Sequence, residues 1–359
     1  MPKVILIIAD DLTGAADSAV AFAERGFSTE VLIEAMLSGH GDADVIAVTT
    51  ETRDVQVDEL PGKFDVLRSG GEERLLLFKK IDSMLRGNTC AEIELATQIL
   101  PDHTVIISPA YPKLGRVCIA GQIHWRDGAG EGVIDLRDRL HRRGMQPISL
   151  SAGADTSSLV EVLKGDGESK RLFLHEATTN EDLLALAGAG RSLGRPVLWI
   201  GSGGLAHALA EQFPRPSTQV RQFEPRAGTG LLFVGSDHPV TKAQVEMLRD
   251  GSLTDVSMIQ VRRGDAGASD IRAAVLRCDP QNISFIFMTG GDTAMQVCRA
   301  LGVASLKIES EYAPGVPVGR MQMGLLDGVA AVLKSGGFGE PDLLRRLCGE
   351  FRAPGRVNA

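Results

Sequence analysis

Residues 4–14, Val4-Ile5-Leu6-Ile7-Ile8-Ala9-Asp10-Asp11-Leu12-Thr13-Gly14, carry an apolar run straight into two adjacent carboxylates, a hydroxyl and a glycine. The five apolar residues 4–8 are too few to cross a membrane and too continuous for a strand with one wet face. They read as a parallel strand covered on both sides. Open parallel sheets bind ligands at the carboxyl ends of their strands, which puts Asp10 and Asp11 at the mouth of a cleft. A helix follows, beginning near Gly14 and running through Ala15, Val20, Ala21 and Phe22, and Asp11 or Thr13 can cap it. A cap satisfies only one or two backbone N–H groups and like charges repel. At least one of the tandem carboxylates therefore faces a ligand, a cation or a substrate hydroxyl.

The chain has 359 residues, more than one core usually organises, so two domains are expected, and its 43% hydrophobic content supports full globularity. With 46 acidic and 38 basic residues the formal charge is −8, and no Lys/Arg block reads as a nucleic-acid tract. Small-molecule chemistry is favoured. The cysteines, Cys90, Cys118, Cys278, Cys298 and Cys348, form no C-x-x-C pair, which argues against a disulfide framework or a zinc ribbon and fits a reducing cytoplasm. Neither a signal peptide nor an apolar run of the ~20 residues that span a bilayer is recognisable, so a soluble protein is expected.

Apolar runs that read as strands recur at 4–8, 30–33, 45–48, 75–78, 105–107, 171–174 and 197–200, with helix-like stretches between most of them. Such alternation predicts a largely parallel sheet. From Gln212 to Gly230 the chain carries Pro214, Pro216, Pro225, Arg221, Arg226 and Gly228 without periodicity, the composition of a linker. Beyond it the pattern restarts, with strands at 231–234, 256–261, 283–288, 306–308 and 329–333 and helices near 239–249, 268–278 and 293–301. The expected fold is α/β with two domains, each a largely parallel sheet flanked by helices, and a site in the cleft between them. Their bounds are 1–212, a linker 213–230, and 231–359. The basic stretch from Arg137 to Arg143 alternates with Asp138 and Leu140 and reads as a solvated helix face.

Three further first-half strands end in reactive side chains: one runs into Thr49-Thr50-Glu51-Thr52-Arg53, one into Lys79-Lys80-Ile81-Asp82-Ser83-Met84-Leu85-Arg86-Gly87-Asn88, and one into Ser108-Pro109-Ala110-Tyr111-Pro112. If these strands run parallel to the first, all four polar clusters meet on one sheet edge. A carboxylate-bearing substrate matches them, since the planar guanidinium of Arg53 can grip it bidentately, Lys80 adds a point charge and Asp and Ser groups bind neighbouring hydroxyls. The plainer reading, surface cations paired with nearby acids, suffices for Lys79 alone.

The second half contributes glycine turns after strands: Gly235-Ser236-Asp237-His238-Pro239, Thr289-Gly290-Gly291-Asp292-Thr293 and Lys334-Ser335-Gly336-Gly337-Phe338-Gly339. Glycine lets backbone approach an anion, and N–H groups at a helix start stabilise negative charge, so their concurrence suggests a phosphate-bearing ligand. No G-x-x-x-x-G-K-[ST] sequence occurs, which excludes a Walker-type site. Gly201-Ser202-Gly203-Gly204-Leu205-Ala206 satisfies G-x-G-x-x-A, yet the acidic residue a dinucleotide site needs about twenty positions on is missing, which counts against an NAD-dependent dehydrogenase. A dehalogenase-type phosphatase needs carboxylates two apart, whereas Asp10 and Asp11 are adjacent. The histidines other than His238 form no ligand pattern.

Together, the segment Ala9-Asp10-Asp11-Leu12-Thr13-Gly14-Ala15, Thr52-Arg53, Lys79-Lys80-Ile81-Asp82-Ser83 with Leu85-Arg86-Gly87-Asn88, and Pro109-Ala110-Tyr111-Pro112 with Gly115-Arg116 resemble the four-carbon acid sugar kinase family. So do Gly235-Ser236, Thr289-Gly290-Gly291-Asp292-Thr293, Pro314-Gly315-Val316-Pro317 and the 334–339 turn, in the same order along the chain. The resemblance implies an ATP-dependent kinase that phosphorylates a four-carbon sugar acid such as threonate, erythronate or 3-oxo-tetronate. It implies a sugar acid held by Asp10, Asp11, Arg53, Lys80, Ile81, Asp82, Ser83 and Arg86, and ATP held by Ser236, Gly290, Gly291, Asp292, Thr293 and Gly336. Two segments depart from the family pattern: 122–146 looks shorter than usual, and Asp237-His238 stand where small residues are commoner. A same-fold kinase for another hydroxy acid, and a sugar-acid sensor without turnover, are the alternatives.

Under this resemblance the acid's carboxylate is expected on Arg53 and Lys80, with Mg²⁺ bridging the ATP phosphates. Asp82 and Asp11 are the candidates for the base that orients the attacking hydroxyl; Asp82 is preferred, because the charges of Lys80 and Arg86 favour its ionised form. The Asp10/Asp11 pair would then hold Mg²⁺ through water. No particular metal ligands follow, no nucleic-acid or membrane partner is expected, and a homo-oligomer is compatible.

Overall fold

Every apolar run read as a strand forms one in the computed structural model, which describes residues 4–34, 43–69, 74–165, 172–215, 228–249, 256–261 and 267–350. In chain order the strands are β1 (Val4–Ala9), β2 (Thr29–Leu32), β3 (Val45–Thr49), β4 (Arg74–Lys80), β5 (Thr104–Ser108), β6 (Arg116–Ile119), β7 (Gln122–Asp127), β8 (Gly130–Asp135) and β9 (Ile148–Leu150). They continue with β10 (Leu172–His175), β11 (Val197–Gly201), β12 (Thr229–Val234), β13 (Val256–Gln260), β14 (Ile283–Thr289), β15 (Ser305–Ala313), β16 (Val316–Gln322) and β17 (Ala330–Lys334). The apolar periodicity missed β6 to β9 and β16. Several of these, such as β8, alternate half-buried and exposed residues, and so lack the continuous run that marks a strand buried on both faces.

Fourteen strands form one sheet in the order β13-β12-β14-β17-β16-β15-β2-β3-β1-β4-β11-β5-β10-β9, and β6-β7-β8 form a separate antiparallel sheet. From β2 to β9 every pairing is parallel. So are the pairings among β12, β13, β14 and β17. The expectation of one parallel block per half holds, but the blocks are not separate sheets. β15 adds antiparallel to β2, with Ser305 opposite Leu32 and Ile308 opposite Thr29, and β16 joins β15 to β17 by two more antiparallel ladders. Residues 216–227, most of the expected linker, lie outside the described residues, as does Arg171.

The helix Leu12–Ala23 explains its own composition. All twelve of its residues are buried, because it packs on β2, β3 and β15 and also touches the helices Gly203–Ala210 and Gly291–Leu301. Small residues such as Ala15, Ala16 and Ala19 allow that crowding. The sequence Gly201-Ser202-Gly203-Gly204 serves the same close packing. A Cβ on Gly201 would lie 2.4 Å from the Ser108 carbonyl oxygen, one on Gly204 2.6 Å from that of Ala110, and one on Gly203 2.4 Å from Asp17 Oδ2. These close contacts account for the glycines without a dinucleotide. No helix among the described residues is long and apolar enough to cross a membrane.

Lys79 overturns the expectation of a surface cation. It lies in β4 with a fully buried side chain, its Nζ 2.7 Å from Glu92 Oε2 and 5.6 Å from the centroid of the Phe64 ring. Removing one partner of such a pair strands a charge, whereas replacing both with apolar groups does not. Glu92→Gln is therefore expected to cost roughly 3–5 kcal/mol in urea unfolding, and the double variant Lys79→Met/Glu92→Leu to stay within about 1 kcal/mol of wild type. Equal losses in the two proteins would contradict this account.

Candidate active site

Arg53 organises the edge where β1, β3 and β4 end. Its Nη1 lies 2.6 Å from Asp11 Oδ2, its Nε 2.9 Å and Nη2 2.8 Å from Asp10 Oδ2, and its Nη2 3.4 Å from Asp82 Oδ1. Asp11 is also the helix cap: its Oδ1 accepts from the Gly14 N–H at 2.7 Å, and its Oδ2 from the Thr13 hydroxyl at 3.0 Å. Both readings of the tandem pair thus meet in one residue. Burial raises the Asp10 carboxyl. At Asp11 burial works in the same direction, but Arg53, Lys80 and the Gly14 amide outweigh it and hold the group low. The cation that answers the pair is Arg53, in the place where a hydrated Mg²⁺ was anticipated. Among the described residues no cluster of three or more His, Cys, Asp or Glu is arranged to hold a metal ion.

The loop after β4 is built around Asp82. Its Oδ2 accepts from the Met84 and Arg86 backbone N–H groups, both at 3.1 Å, and from Arg86 Nε at 2.9 Å, while its Oδ1 lies 2.6 Å from Arg86 Nη2. Gly87 adopts φ +70°, and a Cβ there would lie 2.4 Å from the Arg53 carbonyl oxygen, so only glycine lets this loop lie against Arg53. Burial opposes ionisation of Asp82, yet Arg53 and Arg86 hold its carboxyl far below the usual range. A base working near neutral pH needs the reverse. Both oxygens of Asp82, the carboxylate preferred as base, are thus engaged by Arg86 and by backbone N–H groups of the loop.

Two further expected contact residues have partners within the chain. Arg53 lies against three carboxylates of its own chain. Ile81 is wholly buried in the core, and only its backbone faces polar groups, its carbonyl accepting from Lys80 Nζ at 3.0 Å. Lys80, Asp82, Ser83 and Arg86 do line one small pocket, together with Asp11, Asp17, Arg53, Tyr111, Ser202, Gly203, Ser335 and Phe338. Asp10 faces a neighbouring cavity of about 300 Å³ that includes Glu51, Asp292 and Arg299.

The second half supplies the adjoining cleft, about 270 Å³, whose walls include Ser236, Gly290, Gly291, Asp292, Thr293 and Gly336, all six residues assigned above to the nucleotide. Glycine is required by contact here. A Cβ on Gly336 would lie 2.1 Å from Ser236 Oγ and one on Gly235 2.0 Å from Thr293 Oγ1, while Gly290, at φ +99°, turns β14 into the helix Gly291–Leu301. The first backbone N–H groups of that helix lack intrahelical partners and suit an anion. Asp237 and His238 also line this cleft.

The two halves meet at the chemistry. A Cβ on Gly291 would lie 2.4 Å from Asp11 Oδ2, Ser335 Oγ donates to Thr13 Oγ1 at 3.2 Å, and the Arg116 guanidinium sits 5.3 Å from the centroid of the Phe338 ring. Sequence reasoning did not single out Asp17, in the second turn of the first helix, and gave no role to Lys334, quoted only as the start of the 334–339 turn. This lysine is buried and donates to Thr241 Oγ1 at 3.0 Å and to the carbonyls of Ser335 at 3.1 Å and Gly336 at 2.9 Å, shaping the last glycine turn. Burial pushes its ammonium down to about 7. A polar residue on an otherwise apolar buried element was the signal available for both.

A family model described as a sugar-binding N-terminal domain matches residues 5–151, and one described as a nucleotide-binding C-terminal domain matches residues 268–344. The D-threonate kinase of Cupriavidus necator is 30% identical over 93% of this chain and 94% of its own length. Other relatives include the D-erythronate kinase of Heliobacterium modesticaldum, 24% identical over 94% of each chain, and a 3-oxo-tetronate kinase of Cupriavidus necator, 26% identical over 95% and 96%. Among solved structures, a Salmonella typhimurium LT2 protein shares the fold with a TM-score of 0.76 at 20% identity, covering 97% of this chain and 99% of its own. A Bordetella bronchiseptica protein, a domain-swapped dimer with bound citrate, matches with a TM-score of 0.50 at 27% identity over 98% and 99%. With a relative at 30% identity along nearly its whole length, and domain models that match in the order of the two clefts, the chain belongs to the four-carbon acid sugar kinase family.

Proposed function

We propose that this protein transfers the γ-phosphoryl group of ATP to a hydroxyl of a four-carbon sugar acid of the threonate, erythronate or 3-oxo-tetronate type. The observation that carries this reading is the abutment of two unlike surfaces: a pocket of charged and hydroxyl side chains from one half, and a glycine-lined cradle at a helix N-terminus from the other, in contact through Asp11 and Gly291. Residues 1–212 would take the acid and residues 231–359 the nucleotide. Lys80, which lines the pocket and gives one of its three N–H groups to Ile81, is the cation proposed for the acid's carboxylate. Ser83 would bind a neighbouring hydroxyl.

The nucleotide fits the cradle by the chemistry of its donors: Ser236, the backbone of Gly290 to Thr293 and Gly336 would hold its phosphates. Mg²⁺ would come bound to them and supply charge neutralisation. Phosphoryl transfer draws its rate mostly from alignment and from cations around the transferring group. Arg86 borders both cavities and is suited to that work. A cytoplasmic enzyme belongs to this reading, in keeping with a cysteine pattern that avoids disulfide motifs.

An ATP-coupled assay over four- to six-carbon hydroxy acids is expected to give turnover with at least one four-carbon acid. Turnover only with longer acids would move the substrate class, and thermal stabilisation by an acid without ADP formation would revive the sensor. Lys80→Met is expected to raise KM for the acid by about 100-fold, the loss of one charge-assisted contact, with KM for ATP within about threefold of wild type. Self-association is supported by the dimer of the Bordetella relative. Light scattering after size exclusion should return a mass near twice 38.2 kDa, and a monomer at all concentrations would count against it.

A further inference from the structure

We propose that Asp17 is the base of the reaction: the carboxylate that receives the proton of the substrate hydroxyl as that hydroxyl attacks the γ-phosphorus. This rests on the kinase reading above. The hydroxyl oxygen forms the new P–O bond, the bond from the γ-phosphorus to its bridging oxygen breaks with its electron pair leaving on ADP, and the hydroxyl proton passes to Asp17 Oδ1. The proton returns to solvent when product leaves.

The geometry singles out this carboxylate. Asp17 is 2% exposed, on a helix whose every residue is buried, and among the described residues its Oδ1 has no hydrogen-bond partner. An unpartnered carboxylate oxygen in such a place is costly unless a ligand completes it. It lines the small pocket that also holds Lys80 and Ser83, and that pocket shares Asp11, Arg53, Arg86 and Ser335 with the nucleotide cleft. A substrate anchored on Lys80 would present its hydroxyls between the two. Gly203 lies directly against this carboxylate: a Cβ there would lie 2.4 Å from Asp17 Oδ2 and 2.7 Å from Tyr111 Cε1.

The other acids of that small pocket, Asp11 and Asp82, are engaged. Asp82 has both oxygens on Arg86 and backbone N–H groups, and Asp11 both on Arg53, Thr13 and Gly14. Asp10 keeps one open oxygen, but it faces the neighbouring cavity and its other oxygen is held by Arg53. The groups that act on Asp17 come from several elements. Lys80 on β4 and Arg116 on β6 favour its ionised form, Asp11 and Glu311 on β15 oppose it, and the Tyr111 hydroxyl bonds it. Burial outweighs the cations and brings the carboxyl up to about 6, in the range where a base both ionises and accepts a proton near neutral pH.

Asp17→Asn tests the assignment, with wild-type turnover as the first arm. The variant is expected to fold, to keep KM for ATP within about threefold, and to lose kcat by roughly 100- to 10,000-fold. In wild type, kcat should rise with pH through about 6 and then level, because the base must be deprotonated; in the variant that limb should vanish. A raised carboxyl costs stability as pH rises from its unfolded value toward about 6, so the Asn variant should melt at or above wild type at pH 8, and the difference should close below about pH 4. Turnover within threefold of wild type, or a reduced kcat with the acidic limb intact, would overturn the assignment and leave the kinase reading standing. If Asp17→Asn does not fold, the wild-type profile decides: kcat flat from pH 5 to 8 is the overturning result. No turnover by wild type with any acid removes the kinase reading and this inference with it.

Discussion

The Arg53 guanidinium holds this site together, because it lets several buried carboxylates share a sheet edge. Asp10, Asp11 and Asp82 all lie within 3.5 Å of its nitrogens, and three carboxylates brought together without it would repel one another in a medium that screens poorly. Through Asp11 the same cation orders the start of the first helix, and through Asp82 it orders the loop that presents Arg86. Its planar fork can serve acids in several directions at once, which a lysine ammonium could not do with comparable geometry. The consequence for function is a division of labour: charge that looks available for substrate in the sequence is mostly spent on architecture, and the groups left over are fewer and more specific.

Sheet geometry accounts for the meeting of the two clefts. β15, β16 and β17 are joined by antiparallel ladders, so β14 runs opposite to β1 within the shared sheet. In a flat sheet their carboxyl ends would lie on opposite edges. Six steps separate β1 from β14 in the strand order, and at roughly 20–25° of twist per step the accumulated rotation is about 120–150°, which brings those ends back toward one another. Asp11, just after β1, and Gly291, just after β14, are accordingly in contact. The first helix fills the space that this rotation encloses, which is why it is buried all round and rich in alanine.

Much was legible in the chain. Runs of Val, Ile, Leu and Phe mark strands buried on both faces, and the polar residues directly after them mark the ligand edge, since only the end of such a strand can present charge. That logic picked out the segments after β4, β12, β14 and β17, in which Lys80, Asp82, Ser83 and Arg86 line the pocket and Ser236, Gly290 to Thr293 and Gly336 line the cleft. Strands with half-wet faces, β6 to β9, were not picked out, because their alternation is short and competes with turn residues.

By itself the sequence determined most strands of the two parallel blocks and the polar segments that follow them, because periodicity and strand-end chemistry are local properties. Only the tertiary structure decided how those residues are employed. Arg53 grips its own chain, Lys79 pairs with Glu92 inside the core, Asp82 is saturated, and Asp17 is left with an open oxygen. Partner choice among buried charges depends on which elements the sheet's order and twist bring within hydrogen-bond distance. No spacing along the chain encodes that.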